Sequence, residues 1–420
     1  MSSIDRRSFL ETAALAGAAV ATLNVSRSAH AAGSDVIRVG LVGCGGRGTG
    51  AAVDALKAEP NAKLVALADI FPDQAEKCLK ALNAEGSVKG RIDVPQEKLF
   101  SGFDAYRQLI DSGVDVVLLC STPHFRPQHL DYAIKAGKHV FCEKPVAVDS
   151  TGVRKVMETC KLAAEKKLNV VSGLCYRYEP AKQAILEQIH TGKIGDIRAL
   201  QCTYLTGTLW HRGDKPEWSP MEKQIRNWLY YTWLSGDHNT EQHIHSLDKA
   251  AWVMRDVPPA KCTGIGGRQV RTDPKWGNIY DHFSVVYEWD NGVKLFASCR
   301  QMAGCKNDVN DFIYGTKGTA NLMKHSYEGQ ESWKFEGQNK NMYAAEHEAL
   351  FGAIRKGEVI NNGKYMCQST LLAIMGRMSA YTGKEVSWDD AWNSPEDLTP
   401  KEYAWGDVSI PTTVAMPGKA

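Results

Sequence analysis

VIRVGLVGCGGRGTG, residues 36–50, carries three local signals in immediate succession. Val36 to Val42 is an apolar, β-branched run of strand length. Gly43-Cys44-Gly45-Gly46-Arg47-Gly48 fits the pattern G-x-G-x-x-G, and Thr49 to Lys57 reads as a helix. Strand, glycine turn and helix together are the context in which that pattern predicts a dinucleotide site. Gly43 allows the tight turn, Gly45 lets the backbone approach a pyrophosphate, and Gly48 lets helix pack on strand. Around Gly46 and Arg47 the free N–H groups of the helix start lie at its positive end, which favours a diphosphate.

Upstream, Asp5-Arg6-Arg7-Ser8-Phe9-Leu10 precedes a mild apolar run from Thr12 to Val25, and Ala29-His30-Ala31 offers an A-x-A cleavage signal. That is the layout of an export signal over residues 1–31, and paired arginines before Phe-Leu resemble the twin-arginine type. The implied destination is the periplasm. The apolar run is too short to span a bilayer, which needs ~20 apolar residues. No later segment is long and apolar enough either. Net charge is +2, from 50 basic and 48 acidic residues, which points to neither nucleic acid nor membrane surface as a partner. The eleven cysteines contain no C-x-x-C pair, and Cys44, Cys120 and Cys142 fall inside predicted buried elements. They read as small core residues, with no disulfide framework.

Downstream, Lys63 to Asp69 reads as a second buried strand ending in an acid. Asp69 lies about 25 residues past Gly43, near the ~20 expected of a ribose-binding carboxylate. No arginine follows in Ile70-Phe71-Pro72-Asp73, so NAD is favoured over NADP. Pro72 to Ala84 is helical, Phe103 to Ile110 is a short helix, and Val114 to Cys120 is a third strong strand. It ends at Ser121-Thr122-Pro123-His124, where a loop at a strand's carboxyl end faces the cofactor. Pro127 to Ala136 is a helix stopped by Gly137, and then comes Lys138-His139-Val140-Phe141-Cys142-Glu143-Lys144-Pro145.

The stretch VDVVLLCSTP…H…AIKAGKHVFCEKP resembles the glucose–fructose oxidoreductase, inositol dehydrogenase and rhizopine catabolism family. The Glu143-Lys144-Pro145 tripeptide at a strand end carries most of that resemblance. It implies a sugar or polyol oxidoreductase with an N-terminal Rossmann domain and a C-terminal α/β domain. By resemblance Glu143 and Lys144 border the nicotinamide, and Lys144 hydrogen-bonds the reacting hydroxyl. Tyr176-Arg177-Tyr178-Glu179-Pro180 matches the family's arginine-plus-aromatic segment, which places Tyr176 beside substrate and Arg177 beside cofactor.

Beyond Gly192 the hydrophobic period changes from helix to strand. Ile197 to Leu205, Ala260 to Arg268, His282 to Trp289, Val293 to Arg300 and Val309 to Tyr314 read as strands, with Asp290-Asn291-Gly292 as a hairpin turn. The expected fold class is α/β: a Rossmann domain over 32–175, then an α+β domain over 176–385 with a large, mostly antiparallel open sheet. Met342 to Lys356 and Cys367 to Thr382 are amphipathic helices, and 386–420 reads as a C-terminal arm. By resemblance the sheet packs on a second subunit, which implies a homo-oligomer, dimer or tetramer.

Between the first two of those strands, Glu241 to Val253 follows a helical period, so one helix is expected from Asn239 or Thr240. Glu241 and His245, four apart, share its face, with Asp248 a turn further on. The family pattern is Asp-x-Gly-x-His-x-x-Asp; His245 and Asp248 match it, while Glu241 and His243 replace its aspartate and glycine. Hydride transfer from a secondary alcohol needs a base for the O–H proton, and an imidazole titrating near neutrality suits it. His245 is the candidate base, Glu241 its orienting carboxylate, Lys144 the oxygen's cation, and Asp248 a supporting or substrate-binding group. A metal held by His238, Glu241, His243 and His245 is the rival reading, but residues two apart on a helix face different ways. Trp228 and Tyr231, with His238, are candidates to line a sugar pocket, since sugar C–H faces lie flat on aromatic rings. The pattern as a whole predicts an exported, NAD-dependent oxidoreductase of a sugar, glycoside or cyclic polyol. Export implies that the cofactor is held through turnover. The second reading is an NAD-dependent glycosidase that oxidises, eliminates and re-reduces within one cycle, like the α-N-acetylgalactosaminidases of this superfamily.

Overall fold

A computed structural model describes residues 36–419, so the expected export signal lies outside the described residues. The first half builds a parallel sheet from apolar runs separated by helices. Its strands are β1 (Ile37–Val42), β2 (Ala62–Asp69), β3 (Leu99–Ser101), β4 (Val116–Leu119), β5 (His139–Cys142) and β6 (Val170–Ser172), ordered β3-β2-β1-β4-β5-β6. All the pairings are parallel, and β1, β2, β4 and β5 are buried on both faces, as their continuous hydrophobic runs require. The connecting helices are α1 (Gly46–Ala58), α2 (Pro72–Ala84), α3 (Ala105–Asp111), α4 (Arg126–Lys135) and α5 (Ser150–Glu165). The order reverses between β1 and β4, which opens a crevice at the carboxyl ends of those strands.

After α6 (Pro180–His190) the chain enters a nine-stranded sheet. It comprises β7 (Ile197–Thr206), β8 (Lys261–Gly267), β9 (His282–Glu288), β10 (Lys294–Gln301), β11 (Asp308–Gly315), β12 (Gly318–Asn321), β13 (Ser326–Gly329), β14 (Trp333–Lys334) and β15 (Val386–Ser387). The spatial order is β14-β13-β12-β11-β7-β10-β9-β8-β15. β9 and β10 form the hairpin expected at Asp290-Asn291-Gly292. One pairing breaks the antiparallel rule, because β10 runs parallel to β7. The chain leaves the sheet at Thr206 and returns only at Lys261, so β7 and β10 are not joined by a turn and nothing local sets their relative direction. β12 to β14 have no counterpart among the strands expected from the sequence, since they are two to four residues long and rich in glycine and polar residues.

Between Thr206 and Lys261 lie α7 (Pro220–Arg226), α8 (Thr232–Ser235), α9 (His238–Glu241) and α10 (Ile244–Val253). The single helix expected from Asn239 is therefore two. Gln242 closes α9 at φ −112°, and His243 N–H bonds back to His238 O at 3.0 Å, one residue further than the helical ladder reaches. Helix α11 (Met342–Lys356) packs on α1, while α12 (Gly363–Thr382) lies against both α5 and β8 and joins the two halves. The arm begins with β15, which extends the second sheet, and α13 (Trp388–Asn393). Among the described residues no helix is long and apolar enough to cross a membrane, and the eleven cysteines are all free.

Candidate active site

The glycine turn between β1 and α1 is held for close approach. Gly43 has φ +95°, and a Cβ there would sit 2.4 Å from Ser121 N; a Cβ on Gly48 would sit 1.9 Å from Gly43 O. At Gly45 and Gly46 a Cβ would meet nothing within 4 Å, so the backbone at the start of α1 faces open space. Asp69, at the end of β2, accepts from Cys44 N at 2.7 Å and Phe71 N at 2.9 Å. Burial pushes its carboxyl above the ordinary value. A bare helix start, an open glycine cradle and an acid at the end of β2 are the donor set that NAD needs.

Arg47 turns back over this cradle. Its Nε donates to Glu143 Oε1 at 2.5 Å, its Nη2 lies 3.6 Å from Glu346, and its guanidinium stacks 4.7 Å from the Tyr343 ring centroid. Glu143 also accepts from Lys144 N at 3.1 Å and abuts Gly173, where a Cβ would meet Glu143 Oε2 at 2.6 Å. Glu346 is fully buried with both oxygens unbonded; burial, then the neighbouring Glu143, pushes its carboxyl well up. It faces Arg47 and Glu143. Nothing in the periodicity of α11 singles out Glu346, because its neighbours Arg47, on α1, and Glu143, just after β5, come from distant parts of the chain.

Lys144 and the α9–α10 segment meet across the halves. Lys144 Nζ donates to the Glu241 backbone oxygen at 2.5 Å and to Glu241 Oε1 at 3.0 Å. His245 stands edge-on to Tyr176, centroids 5.6 Å apart, and its Nδ1 is without a hydrogen-bond partner. Burial, then the cations of Lys144 and Lys249, hold the imidazole well below its usual titration range. It is therefore neutral at pH 7. Glu241 departs from its expected role: its carboxylate grips Lys144 and not His245, because the break between α9 and α10 removes the shared helical face. Lys249, fully buried, pairs with Asp311 at 2.6 Å and lies 4.1 Å from the Tyr176 ring. One residue beyond Asp248, it carries no sequence signal.

Several expected site residues are committed elsewhere. Arg177 and Asp248 bind each other at 2.8 Å; Arg177 also grips Asp256 at 2.6 Å, and Asp248 accepts from Ser369 at 2.8 Å. Burial of both favours this mutual pairing over contact with cofactor or substrate. His238 is buried, bonded to Asp237 at 2.9 Å and set against Phe283, which corrects its expected pocket role. His243 spans Asn239 at 3.0 Å and Cys202 at 3.4 Å, so it and His245 share no ligand point. His124 is buried between Trp233 and Tyr403, and its Nε2 bonds Tyr403 O–H at 2.7 Å. Desolvation lowers it to about 4. Ser121 bonds the His129 ring at 3.2 Å, Thr122 Oγ1 is buried without a partner, and Pro123 opens a single 3₁₀ turn. Tyr231 is buried in an apolar cluster with Phe71, Phe125 and Trp233, and Trp228 packs edge-on to Trp210. Tyr231 thus belongs to a core within the 207–235 excursion, while Trp228 is half-buried at its edge.

Two family descriptions match in tandem: "Oxidoreductase family, NAD-binding Rossmann fold" over residues 37–174 and "GFO/IDH/MocA C-terminal domain" over 183–321. The chain is similar to inositol 2-dehydrogenase of Rhizobium meliloti, 25% identical over 84% of this chain and 99% of that protein. It is 30% identical to inositol 2-dehydrogenase of Pseudomonas savastanoi pv. phaseolicola, over 69% of this chain and 75% of the other. A levoglucosan dehydrogenase solved with NADH and levoglucosan shares the fold at TM-score 0.64, with 18% identity, 84% of this chain and 99% of that one covered. Glycine cradle, Asp69 and the Glu143-Lys144-Pro145 strand end thus agree with both matches: the chain belongs to the GFO/IDH/MocA family of oxidoreductases, with NAD as its cofactor.

Proposed function

We propose that this protein oxidises a secondary alcohol of a sugar, glycoside or cyclic polyol, with Lys144 and His245 acting at the reacting oxygen. The observation that carries the reading is the meeting of Lys144, from the end of β5, with Glu241 and His245, from the α9–α10 segment. Bound NAD supplies the hydride acceptor. Gly45 and Gly46 leave room for its diphosphate and Asp69 takes its ribose. Lys144 donates a hydrogen bond to the alcohol oxygen and stabilises its alkoxide character. His245, neutral and without a partner at Nδ1, takes the O–H proton onto its imidazole. Glu241 holds the Lys144 ammonium in place, and in reduction His245 returns the proton.

The arginine pair at residues 6–7 and the A-x-A at 29–31 support export of the folded, NAD-loaded protein to the periplasm. Free NAD is scarce there, so the same molecule would be recycled by a second substrate. The test offers pure protein a panel of sugars, glycosides and cyclic polyols while following reduced-nicotinamide absorbance and free aglycone together. A stable absorbance gain is expected. Aglycone release without net reduction would replace this reading with the transient-oxidation glycosidase, and silence across the panel would end both.

A further inference from the structure

Beside Asp69 the carboxyl ends of β2 and β3 open into a cleft of about 450 Å³ lined by Ile70, Phe71, Asp73, Gly102, Arg226 and Trp405, among others. Its floor belongs to the Rossmann domain, but its far wall does not. Glu222 and Arg226 come from α7, and Trp405 comes from the C-terminal arm, its ring 5.6 Å from Phe71 and 4.8 Å from Phe103. Given that Asp69 takes the ribose, as the oxidoreductase reading has it, this cleft receives the adenosine end of the cofactor.

The sequence offers no arginine directly after Asp69, yet the fold delivers one to the same place. Arg226 is bound on two sides. Its Nε donates to Glu222 Oε1 at 2.7 Å and its Nη2 to Asp73 Oδ1 at 3.0 Å, with the guanidinium 3.9 Å from the Phe71 ring centroid and 5.1 Å from Trp218. Lys77 takes the other Asp73 oxygen at 2.9 Å. Although burial works against its charge, the hydrogen bonds from Arg226 and Lys77 hold the Asp73 carboxyl down at about 2. Two carboxylates, Asp73 and Glu222, thus face the cations of Arg226 and Lys77. The charges of the cluster cancel, and the best phosphate ligand in the cleft is already engaged.

We infer that the Asp73–Arg226–Glu222 cluster sets the choice between NAD and NADP: its carboxylates occupy the guanidinium that would otherwise receive a 2′-phosphate. A purely structural bridge between the halves would hold the same distances but would leave the ratio of the two affinities unchanged when altered. That ratio is the measurement.

Nucleotide-stripped, full-length protein is titrated calorimetrically with NAD and with NADP. The unaltered chain is expected to bind NAD at least tenfold more tightly. The Asp73→Asn, Glu222→Gln double variant is expected to improve the NADP-to-NAD affinity ratio by about tenfold, the scale of a released charge-assisted pair. Adding Arg226→Gln should cancel that gain. Where the double variant fails to fold, as judged by its melting curve, Glu222→Gln alone carries the test, with a smaller change of the same sign. A ratio unmoved in variants that still bind NAD would overturn the inference and leave the oxidoreductase reading standing. An unaltered chain that binds neither nucleotide would overturn that reading and the inference with it.

Discussion

Lys144 and His245 differ in what their environments do to them, and the difference suits their proposed tasks. Lys144 is held by the carbonyl and carboxylate of one residue, Glu241, so its ammonium has a fixed address and a counter-charge. His245 has an edge-on tyrosine and an unbonded Nδ1, and burial with two nearby lysines keeps it neutral. Lys144→Ala and His245→Ala should each lower turnover by at least ~100-fold, the range of a lost acid–base or oxyanion contribution. Nucleotide retained on a desalting column should be unchanged in both, because the cradle lies on β1 and α1. Activity within a few fold of the unaltered protein in either variant would remove that residue from the mechanism. The two positions were legible beforehand as residue types in a motif. The pairing of Glu241 with Lys144 was not, since it depends on a backbone break at Gln242 that helical periodicity does not report.

At the scale of the element, the β1-turn-α1 unit separates two uses of glycine that a motif writes with the same letter. Gly48 is required by packing, because its Cβ would overlap Gly43 O. Gly45 is required by nothing in the protein itself. Gly48→Ala should therefore destabilise the fold by about 1–3 kcal/mol, the usual cost of overpacking, and weaken NAD binding as a consequence. Gly45→Ala should melt within a degree or two of the unaltered protein and yet lose NAD affinity by about tenfold or more, its methyl standing where the diphosphate must approach. Equal melting shifts in the two variants would contradict this division. Elements with a strong period were predictable to within a residue or two, as β2, α2 and β9 illustrate. The short strands β12 to β14 were not, because strands of this length take their stability from the partner edge and carry little pattern of their own.

Across the whole molecule, buried neutral histidines make stability depend on pH. Desolvation holds His124 down to about 4 and His129, His243 and His347 to about 3. Unfolded, each would titrate near 6.5. Below that pH the unfolded chain binds protons the folded chain refuses, so stability is full above about pH 6.5 and declines toward pH 3 as each folded value is reached. Each group contributes up to about 1.4 kcal/mol per pH unit in that window. Thermal unfolding at pH 5 should thus occur roughly 10 °C below that at pH 7. A melting temperature flat over this interval would show that these imidazoles are solvated or paired. The sequence by itself determined the Rossmann half and the cofactor class, because hydrophobic period and glycine spacing are local properties of the chain; Lys144 and His245 came forward as candidates only through the family resemblance. Only the tertiary structure decided which charges meet: Lys144 with Glu241, Arg177 with Asp248, Arg47 with Glu346, and Arg226 with Asp73. Those partners lie scores of residues apart. An ion pair is set by distance in space and by the solvent excluded around it, and the order of residues along the chain encodes neither.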